Sequence, residues 1–293
     1  MTTHIPTYSI CNLFNEFNNV QDCVVLDLQG FISEKPDLVT SPHRHSFYQI
    51  LFITDGTGKH FIDFKTHIIQ KGDLFFLVPG QIHKWIFDTT AKGIVINFNH
   101  HFFSSFLART NYLDDFPFFI GNGEYSKVSL EHQFSDIQKI FTKIQIEYKT
   151  CNECSWDLLR LYLLELFILS NRVINTENHI HIENKHQLLL LRNFERLVEE
   201  NYKIKKLPKD YAEILFVTPN HLNALCQKIK GISAGELIRN RILLETKRLL
   251  VNSSLTISEI AYELNYQDNS YFSRFFRKNT GITPEEFRNS KYV

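Results

Sequence analysis

One helical unit occurs twice in the C-terminal third of the chain, and that internal repeat constrains the fold more than any other feature. The first copy runs from Ala212 through Asn220-His221-Leu222-Asn223-Ala224-Leu225-Cys226-Gln227-Lys228 to Gly231. The second runs from Ala261 through Asn269-Ser270-Tyr271-Phe272-Ser273-Arg274-Phe275-Phe276-Arg277-Lys278 to Gly281. Ala212 and Leu215 match Ala261 and Leu264 at an offset of 49, whereas Leu222, Leu225, Cys226, Lys228 and Gly231 match Phe272, Phe275, Phe276, Lys278 and Gly281 at an offset of 50. One turn is therefore a residue longer than the other. Each copy reads as a short helix, a tight turn and a second helix, the outline of a helix-turn-helix. Two such units in tandem point to a grip on two consecutive turns of DNA.

Helical spacing divides each second helix into faces. Leu222, Leu225, Cys226 and Ile229 form the inward stripe of the first copy, and Phe272, Phe275 and Phe276 that of the second. The opposite face is then available to a major groove. In the second copy it carries Asn269, Ser270, Arg274 and Arg277; arginine can bond guanine bidentately and asparagine can bond adenine. In the first copy it carries Asn220, His221, Asn223, Ala224 and Gln227, with no arginine, so weaker or water-mediated readout is expected there. Thr218 and Asp268 stand where N-caps belong. Between the units, residues 234–251 form one amphipathic helix of about 27 Å, shorter than the ~34 Å between matching half-sites on straight DNA. Bent DNA, or unequal insertion of the two helices, is the expected consequence. Arg239 and Arg241 on this helix are expected to touch backbone between the sites.

The charge supports the same division. The chain has no net charge, but residues 1–185 hold 15 Lys and Arg against 20 Asp and Glu, while residues 186–293 hold 17 against 12. Only the C-terminal segment suits a polyanion.

The segment over about residues 187–290 resembles the AraC/XylS family of transcription regulators. The most specific stretch is Ile257-Ser-Glu-Ile-Ala-Tyr-Glu-Leu-Asn-Tyr-Gln-Asp-Asn-Ser-Tyr-Phe-Ser-Arg-Phe-Phe-Arg-Lys278, continued by Gly281-Ile-Thr-Pro-Glu-Glu-Phe-Arg288. The resemblance implies a seven-helix domain with two recognition helices in adjacent major grooves. By motif position it places base contacts on Asn220, Asn223 and Ala224, and on Asn269, Ser270 and Arg274. Two residues depart from the family pattern. Phe216 stands at a turn position that favours glycine, so a remodelled turn is expected. Ala224 replaces a longer polar side chain, which weakens the case for direct readout by the first copy.

Residues 20–100 have a different texture. Short aromatic and β-branched runs at 24–26, 48–53, 60–64, 73–78, 84–87 and 93–98 alternate with Gly and Pro turns, as in a sandwich or barrel. Strand alternation puts His43, His45, Phe47 and Gln49 on one face, and His83, Trp85 and Phe87 on one face of a later strand. The His43-Arg-His45-Ser-Phe-Tyr-Gln49 run and the Pro79-Gly80-Gln-Ile-His83 run are similar to the two cupin motifs over about residues 25–100. Cupin metalloenzymes hold a divalent metal with three His and a Glu; Gln49 stands in the Glu position and brings no charge, which argues against a metal. No cofactor is expected. The alternative is a pocket in which His43, His45, Gln49, His83 and Trp85 bind a small-molecule effector. The family resemblance implies the same effector-binding, dimerising role. A third possibility is that the barrel binds nothing.

Helical spacing over residues 134–144 and an all-round apolar helix from Trp156 to Val173 complete the N-terminal module; that second helix is expected to be sandwiched in the domain or buried in a homodimer. The expected fold is α+β and multidomain. It comprises a cupin-like β-barrel with flanking helices over residues 1–174, a linker over 175–186, and an all-α double helix-turn-helix domain over 187–293. The N-terminus lacks the basic start and apolar core of an export signal, and the apolar run at 158–169 carries Arg160 and Glu165 and is too short to span a bilayer, so a cytoplasmic location is expected. The five cysteines form no disulfide framework, and the lone Cys151-Asn-Glu-Cys154 pair reads as coincidence. The leading reading is a non-enzymatic DNA-binding transcription regulator controlled by a small molecule. Activation, the usual mode in the family, is the expected mode, with RNA polymerase as a further partner. The competing reading is a cupin metalloenzyme with a nucleic-acid-binding tail, which the neutral Gln49 disfavours.

Overall fold

Strands buried on both faces organise the N-terminal part of the computed structural model, which describes residues 5–13, 22–88, 90–109, 112–120, 125–177 and 185–290. The chain separates into two compact units, one of residues 6–179 and one of 180–293 together with 1–5. In the first unit, β1 (Thr7–Tyr8), α1 (Ile10–Leu13), β2 (Cys23–Asp27), α2 (Leu28–Glu34) and α3 (Pro36–Thr40) lead into a run of strands. These are β3 (His43–His45), β4 (Tyr48–Asp55), β5 (Gly58–Ile62), β6 (Lys65–Ile69), β7 (Asp73–Leu77), β8 (Ile82–Phe87) and β9 (Lys92–Phe98). After α4 (His101–Ser104) and β10 (Lys127–Ser129) come two long helices, α5 (Phe134–Thr150) and α6 (Ser155–Glu177).

The strands form two five-stranded sheets, ordered β1-β3-β8-β5-β6 and β10-β7-β4-β9-β2. All described pairings are antiparallel except β1 with β3. Ile62, Ile69 and Trp85 of the first sheet share one core with Leu51, Phe75, Leu77 and Val95 of the second, so the sheets pack face to face. The other face of the second sheet is covered as well. Ile50, Phe52, Phe76 and Ile96 pack with Ile137, Ile140, Phe141 and Ile144 of α5 and Leu159, Leu163, Leu166 and Phe167 of α6. A strand covered on both faces has no polar side to alternate with, which is why β7 reads Asp-Leu-Phe-Phe-Leu and is buried throughout. Burial of each such Leu or Phe contributes about 1.5–3 kcal/mol. Helix α6 continues to Glu177, past the start expected for a linker, and residues 178–184 of that expected linker lie outside the described residues.

The second unit is helical. It comprises α7 (Lys185–Asn201), α8 (Pro208–Ile214), α9 (Pro219–Lys230), α10 (Ala234–Asn252), α11 (Ile257–Glu263), α12 (Asn269–Thr280) and α13 (Pro284–Asn289). Pro208, Pro219 and Pro284 open helices at a position where the missing N–H costs nothing. Thr256 with Glu259 and Thr283 with Glu286 form reciprocal capping boxes at the starts of α11 and α13. The central helix α10 buries Ile238, Ile242, Leu243, Thr246 and Leu250. Phe194 packs edge-on against Tyr211 in the first half of the unit, and Phe276 packs edge-on against Phe287 in the second.

Candidate functional site

Both expected helix-turn-helix units are present, α8–α9 and α11–α12, and their turns have the same geometry. Val217 N–H donates to the Ala212 carbonyl and Phe216 N–H to that of Glu213; Tyr266 and Asn265 repeat this with Ala261 and Tyr262. This is the Schellman pattern, and it requires a left-handed residue after the helix. Asn265 meets the requirement at φ 55°, and so does Phe216, also at φ 55°. The turn expected to be remodelled is therefore not remodelled. Instead, Phe216 adopts a conformation that costs a bulky L-residue roughly 1–2 kcal/mol, with its ring 95% exposed and no packing to compensate.

The second helix of each unit starts at a capped N-terminus. Thr218 Oγ1 accepts from His221 N–H at 3.1 Å, and Asp268 Oδ1 accepts from Ser270 and Tyr271 N–H at 2.7 and 3.2 Å. Leu222, Leu225 and Cys226, like Phe272 and Phe276, are buried, so the inward stripes are as expected, with Phe275 and Ile229 half-buried. Asn220, His221, Asn223, Ala224 and Gln227 are exposed on α9, and Asn269, Ser270, Arg274 and Arg277 on α12. Two of the asparagines also have internal work. Asn223 Oδ1 accepts from Ala234 N–H at the start of α10, and Asn269 Nδ2 donates to Ser258 Oγ on α11. Each holds its recognition helix to a neighbour while the residue itself stays exposed.

The two arginines of the connecting helix part company. Arg239 is exposed and lines a groove of about 580 Å³ with Tyr271, Arg274, Phe275, Lys278 and Asn279 of α12. Arg241 is buried. Its guanidinium bonds both carboxylate oxygens of Glu199 at 2.6 and 2.7 Å, reaches Glu245 at 3.1 Å and lies over the Tyr202 ring. The expected DNA contact at Arg241 is thus corrected: 3.6 residues per turn places position 241 on the face turned toward α7, where the side chain ties two helices together. Lys278 and Tyr271, in contrast, belong to the cationic groove and were missed as interface residues. The sequence signal for Lys278 was its repeat match to Lys228; the groove itself depends on how α10 crosses α12, which no local pattern encodes.

A bracket from the α7–α8 segment holds the second helix-turn-helix copy. Lys203 bonds Glu263, while Lys206 Nζ donates to the Asn265 carbonyl at 2.8 Å and sits 3.3 Å above the Tyr266 ring. Burial lowers the Lys206 ammonium to a pKa of about 8. Both lysines grip the turn of the second copy.

In the first unit the inner face of the first sheet is rich in histidine. His43 and His45 lie on β3, His60 on β5 and His83 on β8; His43 faces His83 across the ladder. His45 Nε2 and His83 Nε2 are 3.2 Å apart, and His83 Nδ1 is 3.1 Å from His60 Nε2. Burial lowers all four, His43 to about 4 and the others well below the usual range, and the charge of neighbouring histidines lowers His45, His60 and His83 further. At neutral pH these rings are uncharged.

The expected ligand-binding set is only partly assembled. Gln49 is buried on the opposing sheet and donates to Asn97 Oδ1 at 2.9 Å. Trp85 is fully buried against Phe31 and His60, so it offers no free stacking surface, which corrects the expected role. His43 alone of the five lines an open groove of about 400 Å³, with Tyr8, Glu34, Lys35, Asp37 and Ser41 among its walls. The helices α2 and α3 beside this groove are not legible in the sequence, because each is shorter than two helical turns. As for metal, one ring nitrogen from each of His43, His45 and His83 lies within 4.8 Å of the other two, a spacing that fits a single ion. The neutral Gln49, the ground for doubting a metal, is not part of that group.

Comparison with known proteins follows this division. Residues 25–152 match the model of an AraC-like ligand binding domain, and residues 211–290 match a helix-turn-helix domain. Together these take in more than half of the chain. The chain belongs to the AraC family of transcription regulators. This AraC-family regulator is 23% identical over 252 residues to the HTH-type transcriptional activator RhaR of Mannheimia succiniciproducens, covering 86% of this chain and 87% of the relative. It is 25% identical over 227 residues to the arabinose operon regulatory protein of Escherichia coli, covering 75% and 73%. The crystal structure of ToxT from Vibrio cholerae aligns over 91% of this chain and 96% of that chain, with 15% identity and a TM-score of 0.42. The regulator is a mixed α and β protein with a sheet-rich N-terminal part and a helical DNA-binding part. Among the described residues, no helix is long and apolar enough to cross a membrane.

Proposed function

We propose that this regulator is a homodimeric, cytoplasmic activator that reads a bipartite operator with α9 and α12 and answers to a small polar effector at the mouth of the N-terminal sheets. In this reading residues 1–174 bind the effector and dimerise, 175–186 link, and 187–293 bind DNA; the protein acts by binding, not catalysis, and RNA polymerase is its further partner. The observation that carries the DNA reading is the pair of side-chain-capped recognition helices, with Arg274 and Lys278 of α12 and Arg239 of α10 converging on a single groove. Base readout is assigned to Asn220, His221, Asn223 and Ala224 in one half-site and Asn269, Ser270, Arg274 and Arg277 in the other, with Arg239 on phosphate. Relatives named as activators and as an arabinose operon regulator support the mode and the effector class.

The groove walls suit a hydrogen-bonding ligand: Tyr8, Glu34, Asp37, Ser41 and His43 combine hydroxyl, carboxylate and imidazole groups. For the dimer, α6 leaves Leu161 51% and Ile168 38% exposed on the face opposite its buried Leu159, Leu163 and Phe167, and this apolar strip is the face assigned to a second copy. A screen of small polar metabolites by thermal shift on the full chain tests the effector assignment. A hit that His43→Ala and Tyr8→Ala both abolish supports it; a hit indifferent to both overturns it. Sedimentation of Leu161→Lys with Ile168→Lys tests the dimer, with monomer expected and an unchanged dimer contradicting the assigned face.

A further inference from the structure

An aromatic ring in a strained conformation, with nothing packed on it, stands at the entrance to the first recognition helix. We propose that Phe216 is a DNA contact whose ring packs on the apolar surface of the duplex, a thymine methyl or the deoxyribose edge, beside the half-site that α9 reads. The inference rests on the assignment of α9 to a major groove and adds an apolar contact to its polar ones.

The fold needs the backbone at this position but not the ring. Val217 and Phe216 N–H groups close the end of α8 on the Ala212 and Glu213 carbonyls at 3.0 and 3.2 Å, and that closure demands a left-handed residue. Asn265 fills the same place in the second copy at the same φ of 55°, and asparagine tolerates this region. A phenyl-bearing residue does not, and here the ring gains nothing inside the chain in return. Phe216 is 95% exposed, the most exposed large hydrophobic residue among those described. A side chain that is unfavourable both for its backbone and for its hydration is accounted for by a partner that covers it.

The chain geometry points to DNA as that partner. Phe216 lies two residues before Thr218, the N-cap of α9, so their Cα atoms are within about 7 Å of each other. The α8 closure fixes the segment on one side and the Thr218 cap on His221 N–H fixes it on the other, so the ring rides on a rigid turn. Thr218, Pro219, Asn220 and His221 are all exposed, so Phe216 is continuous with the outward start of α9. A helix whose first-turn side chains enter a major groove about 12 Å wide brings its N-cap to the lip of that groove, where sugars and outer base edges lie. Phe against a thymine methyl is a known form of apolar readout. The composition of the copy fits as well. Residues 219–225 contain no Lys or Arg, so this end of α9 lacks the cations that Arg274 and Arg277 give α12, and an apolar contact adds hold without charge.

The test uses the full chain and a fluorescent duplex of the sequence that the parent selects from a random pool. The α9 half is the one whose preference survives Arg274→Ala. Phe216→Asn, which installs the residue of the second copy, and Phe216→Gly should each bind about tenfold more weakly, as for one phenyl ring losing part of its cover. Their salt slope should be unchanged, and their urea midpoint no lower than the parent's. Phe216→Tyr, which keeps the ring, should bind like the parent. Weaker binding by a protein that is no less stable is an outcome that a ring serving only the fold would not produce. Replacing thymines of the α9 half by deoxyuridine separates the two apolar sources. A loss at one thymine that Phe216→Asn does not share assigns the methyl, and no loss at any thymine assigns the deoxyribose edge. Parent-like affinity of both Phe216→Asn and Phe216→Gly overturns the proposal, even if transcription with RNA polymerase suffers, which would give the ring to a protein surface. A parent indifferent to scrambling of the α9 half overturns the α9 assignment and the ring contact together. A parent that needs that half, with Phe216→Asn matching its affinity, overturns the ring contact alone.

Discussion

The first helix-turn-helix copy ends in a face of amides, one histidine, one alanine and Lys228; the second ends in Arg274, Arg277 and Lys278. Their backbones do not differ in kind. Both turns make the same Schellman bonds through a left-handed residue, both recognition helices turn matching positions inward (with Phe275 less buried than its counterpart Leu225), and Gly231 and Gly281 end them at φ 71° and 84°. What varies is the surface and its support. Lys230 in the first copy is drawn into a buried pair with Glu195, whereas Arg274 in the second keeps a side chain 75% exposed. Packing fixes the inward residues to a narrow chemistry, while the outward ones are set by the partner alone. The outward faces have diverged in charge, Arg274 and Arg277 standing in the second copy where the first has Ala224 and Gln227, and most of the electrostatic attraction falls to the second.

That asymmetry can be broken at single residues. The largest effect belongs to the connecting helix. Arg241→Ala should cost about 3 kcal/mol of stability, because Glu199 and Glu245 lose a buried cation; partial exposure of the two acids keeps the figure at the low end of the usual 3–5. Urea denaturation reads this, and Arg239→Ala two residues away should leave the midpoint unchanged while weakening DNA binding. Next, Arg274→Ala should cost about 1–3 kcal/mol on the preferred site and relax one base position. The combined loss of Arg239, Arg274 and Lys278 should make the salt dependence of binding shallower by about 3 in log–log slope; Asn220→Ala with Gln227→Ala should leave the slope unchanged. A slope change of the same size in both copies would erase the asymmetry.

Asn223 sharpens the comparison further. Asn223→Ala should lower stability by about 1 kcal/mol through loss of the acceptor at Ala234 N–H, whereas Asn223→Asp should retain it and change only DNA binding. The smallest effect is at the turn. Phe216→Gly should raise stability by about 1 kcal/mol, because the strained φ is relieved and the exposed ring loses nothing. The equivalent change at Asn265 should gain much less. Equal gains would mean that Phe216 is stabilised by something other than its own ring.

The repeat, the strand runs and the inward stripes were legible in the sequence because each is periodic and local. Even the odd residue at the turn, Phe216 where glycine is favoured, could be seen, though not its outcome: the Schellman bonds outweigh the strain, so the turn keeps its shape. The rest depended on three-dimensional placement. Arg239 and Arg241 are alike in sequence, and only the packing of α7 on α10 separates an exposed cation from a buried one. Trp85 was expected at a mouth and lies at the centre of the core between the sheets. His60 reads only as a strand residue, since nothing in a lone histidine announces that its ring will reach His83 on the neighbouring strand.

The most direct test is selection of bound duplexes from a random DNA pool by the full chain at near-physiological salt, repeated with Arg274→Ala. Two motifs about one helical turn apart are expected, the half read by α12 more sharply defined, and that half alone degraded in the variant. A single motif, no enrichment, or equal loss in both halves would contradict a bipartite reader whose second copy dominates.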